Sequence, residues 1–234
     1  MQSTKILSQE VQNDLLTFTQ GLVRTKSLSG QEGEVIRLIE RKMLALGYDE
    51  VRIDSMGNLV GRIGDGPKAI LFDSHVDTVD VTDEENWHYP PFDGVIADGY
   101  LHGRGSVDMK SGAAASIYAA ALARQSGFSE GKTVYVSCSV LEEACDGENL
   151  KQMFKEFNLK PDYVVICEPS NNVITLGHKG KAQLSIKTHG ISAHGSAPEK
   201  GVNAIYEMAE IIQRVEKINL ELTKKDAPRG TLVM

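Results

Sequence analysis

"AILFDSHVDTVD", residues 69–80, runs four apolar residues into one histidine and three aspartates. The apolar run is short, continuous and bounded by polar residues, so it reads as a strand buried on both faces of a sheet. Alternation then puts His75 and Asp77 on the same side of the extended chain. Two later runs share this texture, "TVYVSCSV" (133–140) and "YVVIC" (163–167). Between the first two lies "SGAAASIYAAALARQ" (111–125), an alanine-rich helix whose small side chains permit close packing on a sheet. A further helix is expected near residues 147–157. The order strand, helix, strand, helix, strand predicts an α/β layered domain with a mainly parallel central sheet.

Before this core, residues 8–24 and 31–46 have helical apolar spacing. Ser29 with Glu32 three residues on forms a capping-box pattern for the second helix, and Gly47 is its expected stop. "YDEVRID" (48–54) and "NLVGRIG" (58–64), joined by "SMG", read as a hairpin. Beyond Glu168 the texture changes. "HKGKAQLSIKTHG" (178–190) alternates as a half-exposed strand, and "GVNAIYEMAEIIQRVEKI" (201–218) is an amphipathic helix with Ile205, Met208, Ile211, Ile212 and Val215 on one face. Two domains are expected, residues 1–177 and an α+β domain over 178–234.

The 234 residues are 41% hydrophobic and 24% charged, enough apolar content for a real core. A formal net charge of −7 with both signs interspersed offers no basic field for phosphates, so no nucleic-acid partner is expected. The N-terminus shows no basic-then-apolar leader, and no apolar run approaches the ~20 residues that span a bilayer. A cytoplasmic protein without membrane contact is the expectation. Cys138, Cys145 and Cys167 are odd in number and widely spaced, and read as reduced thiols, with Cys138 and Cys167 in buried strands.

The three strand-like runs end alike: the first leads into His75 and Asp77, the second into Glu142–Glu143, and the third into Glu168. Asp108, in "GRGSVDMKSG", precedes the alanine-rich helix. Ligands of open α/β sheets bind beyond the carboxyl ends of the strands, so these groups can converge. Singly, each has an ordinary reading: a hydrogen-bonded histidine, solvated glutamates, a helix-capping aspartate. Together they suggest metal, because clustered carboxylates repel and protonate unless cations offset their charge, and imidazole with carboxylate suits zinc. Two divalent ions about 3.5–4 Å apart are a recurrent hydrolytic arrangement. Asp77 can then accept from the second ring nitrogen of His75 and fix its tautomer. Asp73 and Asp80 have no assigned role.

"SHVDTV", "GRGSVDMKSGAAA", "LEEACDGENL", "CEPS" and "GISAHGSAPEKGVNAI" occur in the order found in a zinc metallopeptidase family. From about residue 10 onward the chain resembles that family, which includes aminoacylase, acetylornithine deacetylase, succinyl-diaminopimelate desuccinylase and related dipeptidases and carboxypeptidases. In wording it is most like the selenium-metabolism-associated hydrolases of the family. The resemblance implies two zinc ions, with cobalt or manganese as substitutes. It makes His75 and Glu168 ligands of one metal, Glu143 a ligand of the other, Asp108 the bridge and Glu142 the general base. A cis peptide after Asp108 is expected. His194 in "SAHGSAP" would reach a partner subunit's site and stabilise an oxyanion. The second domain would be an inserted lid through which the protein dimerises. His88, His102, His178 and His189 match no ligand position.

The family's catalytic domain returns after the lid to supply a last metal-binding histidine. This sequence stops at "RGTLVM", inside the lid, and is expected to be an N-terminal portion that lacks that ligand. Three readings follow. The first is a dinuclear metal-dependent amidohydrolase or peptidase acting on a small peptide or an N-acyl amino acid. The second is a metal-binding association module or fragment without turnover. The third, a metal-free α/β binding protein, leaves the acid cluster unexplained.

Overall fold

A computed structural model describes residues 7–145, 147–177, 180 and 182–223. His178, Asp146 and the "RGTLVM" end lie outside the described residues. The chain divides into two compact units, Met1–Asn172 and Val173–Met234.

The first unit opens with helices α1 (Gln9–Arg24) and α2 (Gly33–Ala45), followed by strands β1 (Glu50–Ile53), β2 (Leu59–Ile63) and β3 (Lys68–His75). A small hairpin, β4 (Val95–Ala97) and β5 (Tyr100–His102), precedes helix α3 (Ser111–Gln125) and strand β6 (Lys132–Ser139). Helices α4 (Glu142–Cys145) and α5 (Glu148–Glu156) then lead to strand β7 (Tyr163–Ile166). The main sheet has the order β1-β2-β6-β3-β7. β3 pairs in parallel with both β6 and β7, whereas the β1–β2 hairpin joins β6 antiparallel. The mainly parallel core expected from the sequence is therefore β6-β3-β7, with the predicted hairpin extending one side.

Alternation along the strands divides two cores. Leu59, Ile63, Val134, Val136 and Cys138 face α1, α2 and α3, where they meet Leu22, Ile39, Met43 and Ile117. Val60 and Leu71 face the other way and meet Met153 of α5 and Leu159. The sheet thus lies between two helical layers. α3 packs closely because its inward positions are Ala113, Ala114, Ala120 and Ala121, and because a Cβ at Gly112 would stand 2.9 Å from the Cys167 carbonyl oxygen.

Four expectations need correction. Ser29 and Glu32 form no capping box: Glu32 is the residue before α2 but makes no side-chain cap bond, since both side chains reach elsewhere. β7 is not buried on both faces, because Tyr163, Val164, Val165 and Ile166 are 66, 44, 40 and 55% exposed. Its one hydrogen-bonded neighbour among the described residues is β3, which makes it an edge strand. Cys167 accordingly lies just past β7 and is half-buried, whereas Cys138 is buried as expected; all three cysteines are free thiols. In the second unit, the described part of 178–190 is not a strand. A ladder needs a partner, and the pairing present among the described residues of this unit is one bridge, Ile191 with Val202.

The amphipathic helix of the second unit is α6 (Ala204–Thr223). Met208, Ile211 and Val215 are half-shielded there, while Ile205 and Ile212, expected on the same face, are exposed. No helix among the described residues is long and apolar enough to cross a membrane.

Candidate metal centre

Register fixes the site. Parallel pairing sets His75 opposite Ser139 and Asp73 opposite Ile166, so β3, β6 and β7 end at one level of the sheet. The segments that leave those ends carry Asp77, Glu142–Glu143 and Glu168. Asp108 arrives from the turn before α3, and its peptide bond to Met109 is cis, as the resemblance implied. Lys110 anchors that turn: it is buried, and its Nζ donates to the Leu22 and Thr25 carbonyls at the end of α1. Burial lowers its pKa to about 8.

His75 is 2% exposed and is held from both ring nitrogens. Nδ1 lies 3.0 Å from the Asp77 carbonyl oxygen and 3.4 Å from Asp77 Oδ1. Nε2 lies 2.9 Å from Asp108 Oδ1 and 3.7 Å from Glu168 Oε1. Burial opposes a charged imidazole, but the hydrogen bonds to Asp77 and Asp108 and the Glu168 charge outweigh it, raising the His75 pKa to about 10.

Asp77 is fully buried and saturated with donors. Its Oδ1 accepts from the Glu142 amide at 3.1 Å, and its Oδ2 from the Glu143 amide at 3.1 Å and from Ser29 Oγ at 2.7 Å. Burial pushes its carboxyl up, yet the bonds from His75, Ser29 and Glu143 hold it below the ordinary carboxylate range. Glu143 and Glu168 shift the opposite way. Burial raises both, and the charges of Asp108 and Glu142 raise them further against the opposing pull of His75.

Among the described residues, two groups have ligand atoms within 4.8 Å of one another: His75 with Asp108 and Glu143, and His75 with Glu142 and Glu168. The structure thus gathers all four ligands named from the resemblance. It groups them differently, for Glu142, expected to act as a base, shares a group with His75 and Glu168. Imidazole and carboxylate donors at this spacing fit a divalent cation, and a cation would relieve the repulsion that raises Glu143 and Glu168. Beside Asp108 and Glu143 opens a cleft of about 170 Å³, also bordered by Thr78, Arg104 and Val107.

His194 belongs to the second unit, where its Nδ1 lies 2.8 Å from Ser196 Oγ and accepts from the Ser196 amide at 3.2 Å, a local turn. His88 and His102 flank Tyr89, with ring centroids 4.5 and 4.8 Å away, and belong to neither ligand group. Asp73, left without a role, accepts from Ser137 Oγ at 2.6 Å, and burial raises its pKa to about 6. Sequence reasoning missed the supporting residues Ser27, Ser29, Glu32 and Asn58. Ser29 and Glu32 carried a signal, but it pointed to a helix cap.

An open α/β sheet with an imidazole and four carboxylates gathered at its carboxyl edge defines a class, the α/β proteins with a candidate divalent-metal centre. Residues 71–230 match the model of peptidase family M20/M25/M40, and the chain belongs to that family. It is 34% identical over 228 residues to the uncharacterized protein YgeY of Escherichia coli strain K12, covering 97% of this chain and 57% of that protein. A succinyl-diaminopimelate desuccinylase of Cereibacter sphaeroides is 29% identical over 233 residues, covering 94% of this chain and 61% of the relative. Among solved structures, aminopeptidase PepT of Bacillus cereus ATCC 10987 is similar with a TM-score of 0.53 at 26% identity, over 86% of this chain and 56% of PepT. The chain spans 57 and 61% of the length of these two curated relatives.

Proposed function

We propose that the chain carries the metal centre of a dinuclear metal-dependent amide hydrolase, acting on a small peptide or an N-acyl amino acid. One observation carries this reading: His75 and the four acids Asp108, Glu142, Glu143 and Glu168 form two ligand groups at one sheet edge. Family membership, with a desuccinylase and an aminopeptidase among the relatives, supports the bond type. His75, Asp108, Glu143 and Glu168 would hold the ions, zinc by donor type, with cobalt or manganese as substitutes. When bound, such ions act as Lewis acids and lower the pKa of water from roughly 15.7 towards about 7.

The chain's own residues supply the rest. Glu142 takes the proton of the attacking water and delivers it to the leaving nitrogen, one carboxylate serving as base and then acid. Asp77 orients His75 through Nδ1, leaving Nε2 towards the acids. His194 would stabilise the developing oxyanion in a homodimer joined through the second unit. A metal-binding association module without turnover is the second reading, since the two ligand groups account for ion binding whether or not hydrolysis follows.

Titration of the chelator-treated chain with Zn²⁺ or Co²⁺, followed by hydrolysis of a dipeptide and N-acyl amino acid panel, tests both. The hydrolase reading expects about two ions and an activity that Glu142→Gln removes, to below roughly one part in a hundred, while ions still bind. Ion binding without hydrolysis selects the association module. Absence of binding overturns both.

A further inference from the structure

β6 ends at Ser139 and α4 begins at Glu142, whose first helical bonds are those of the Ala144 and Cys145 amides to the Leu141 carbonyl. The amides of residues 140–143 therefore lie between a strand ladder and a helix. Each is captured by a side chain from elsewhere. Asn58 Oδ1 accepts from Val140 at 2.9 Å and Glu32 Oε1 from Leu141 at 2.9 Å. Asp77 accepts from Glu142 and Glu143, both at 3.1 Å. All three acceptors are buried. The turn they hold is not one that the chain adopts freely, since Leu141 has φ +60°, the left-handed region disfavoured for a branched side chain.

Glu32 has a nearer use that it forgoes. It precedes α2, where a side chain ordinarily caps the helix, yet its carboxylate is turned to Leu141. The loop that carries it is also fixed to the His75 strand. Ser27 Oγ donates to the Val76 carbonyl at 2.7 Å, the Thr78 amide donates to the Ser27 carbonyl at 2.9 Å, and Ser29 donates to Asp77. One loop thus grips both the segment bearing His75 and the segment bearing Glu142–Glu143.

We propose that the loop of residues 27–32 is a clamp, with Glu32 as a positioning residue that sets where Glu143 presents its carboxylate to a metal and where Glu142 stands beside it. This rests on the metal-centre reading above. The physical requirement is an acceptor at the Leu141 amide, not a negative charge. Glu32→Gln keeps an oxygen there, Glu32→Ala removes it, and Glu32→Asp keeps the charge but withdraws it by one methylene.

Co²⁺ alone, titrated into the chelator-treated 234-residue chain by calorimetry with its visible absorption recorded, separates these cases. Amide hydrogen exchange at 141–143 reads the turn without metal. Glu32→Ala and Glu32→Asp are expected to weaken Co²⁺ binding about tenfold or more, alter its spectrum and speed exchange at these amides, whereas Glu32→Gln stays within about threefold. Should Glu32→Ala fail to fold, the contrast between the aspartate and glutamine variants carries the test. Wild-type affinity in Glu32→Asp, or a loss in Glu32→Gln equal to that in Glu32→Ala, overturns the clamp. If the unaltered chain binds no Co²⁺, the metal reading falls and takes the clamp with it; if it binds and every variant binds equally, only the clamp falls.

Discussion

Replacing Asp77 by asparagine changes one atom in size and little in shape, yet it should be costly. In the native site both carboxylate oxygens face donors: Oδ1 meets the Glu142 amide, and Oδ2 meets the Glu143 amide and the Ser29 hydroxyl. An asparagine has one acceptor oxygen and an NH₂ group. Whichever way it is turned, the NH₂ confronts a backbone N–H. The Ser29 hydroxyl can rotate to accept from it, but an amide cannot. One buried N–H is then left unpaired, at about 1–3 kcal/mol, and the charge-assisted bonds to the carboxylate are weakened as well, so a total loss of roughly 2–4 kcal/mol is expected. Asp77→Ala orphans both amides and should lose roughly 2–6 kcal/mol, a large share of a typical domain stability of about 5–15 kcal/mol. Urea denaturation with chelator present removes any contribution from metal. The single tryptophan, Trp87, lies in the first unit and reports its unfolding. If Asp77→Asn shifts stability by less than about 0.5 kcal/mol at an unchanged m-value, the two amides are not held as described and the reasoning fails.

Two further outcomes follow from the same geometry. Asp14 is held below the ordinary carboxylate range by hydrogen bonds from Tyr118 and Lys42, and Asp49 by those from the Gly64 amide and Arg124. Groups depressed on folding stabilise above their unfolded pKa of about 3.9 and lose that contribution as pH falls through the folded value, so the urea midpoint should drop below about pH 4 and Asp14→Asn should flatten that slope. A Cβ at Gly61 would stand 2.5 Å from both Met43 Sδ and the Tyr48 ring, so Gly61→Ala should destabilise by about 1–3 kcal/mol in the same assay, and a neutral result would mean that Met43 and Tyr48 repack freely.

The strands and helices were legible because their apolar periods are local. α3 spans Ser111–Gln125, as the alanine run implied, and the hairpin closed where "SMG" placed it. β7 shows where that reading stops. "YVVIC" has the texture of "AILF" and "TVYVSCSV", yet β3 and β6 each have two neighbours in the sheet and β7 has one among the described residues. Texture states what a strand needs around it; sheet order decides what it has. The described part of 178–190 fails for a related reason, since alternation is a property of one segment and a ladder requires two.

The site divides along the same line. The cluster of His75, Asp108, Glu142, Glu143 and Glu168 is legible in the chain because side chains of metal-binding type fall at or beside the ends of core elements, whereas the choice of His75, Asp108, Glu143 and Glu168 as expected ligands came from the resemblance. Their supports were not legible, because a backbone N–H carries no sequence signature. Leu141 gives no sign that its amide needs an acceptor, and the acceptor lies 109 residues earlier. Ser29 and Glu32 did carry a pattern, but the local grammar of a capping box and the requirement of a distant turn use the same residue types, serine for its hydroxyl and glutamate for its reach. Which use prevails depends on which amides are left unpaired in the folded chain. Here α2 begins without its cap while the strained turn before Glu142 takes the carboxylate, so the helix end has yielded its best acceptor to the segment that carries the acid pair.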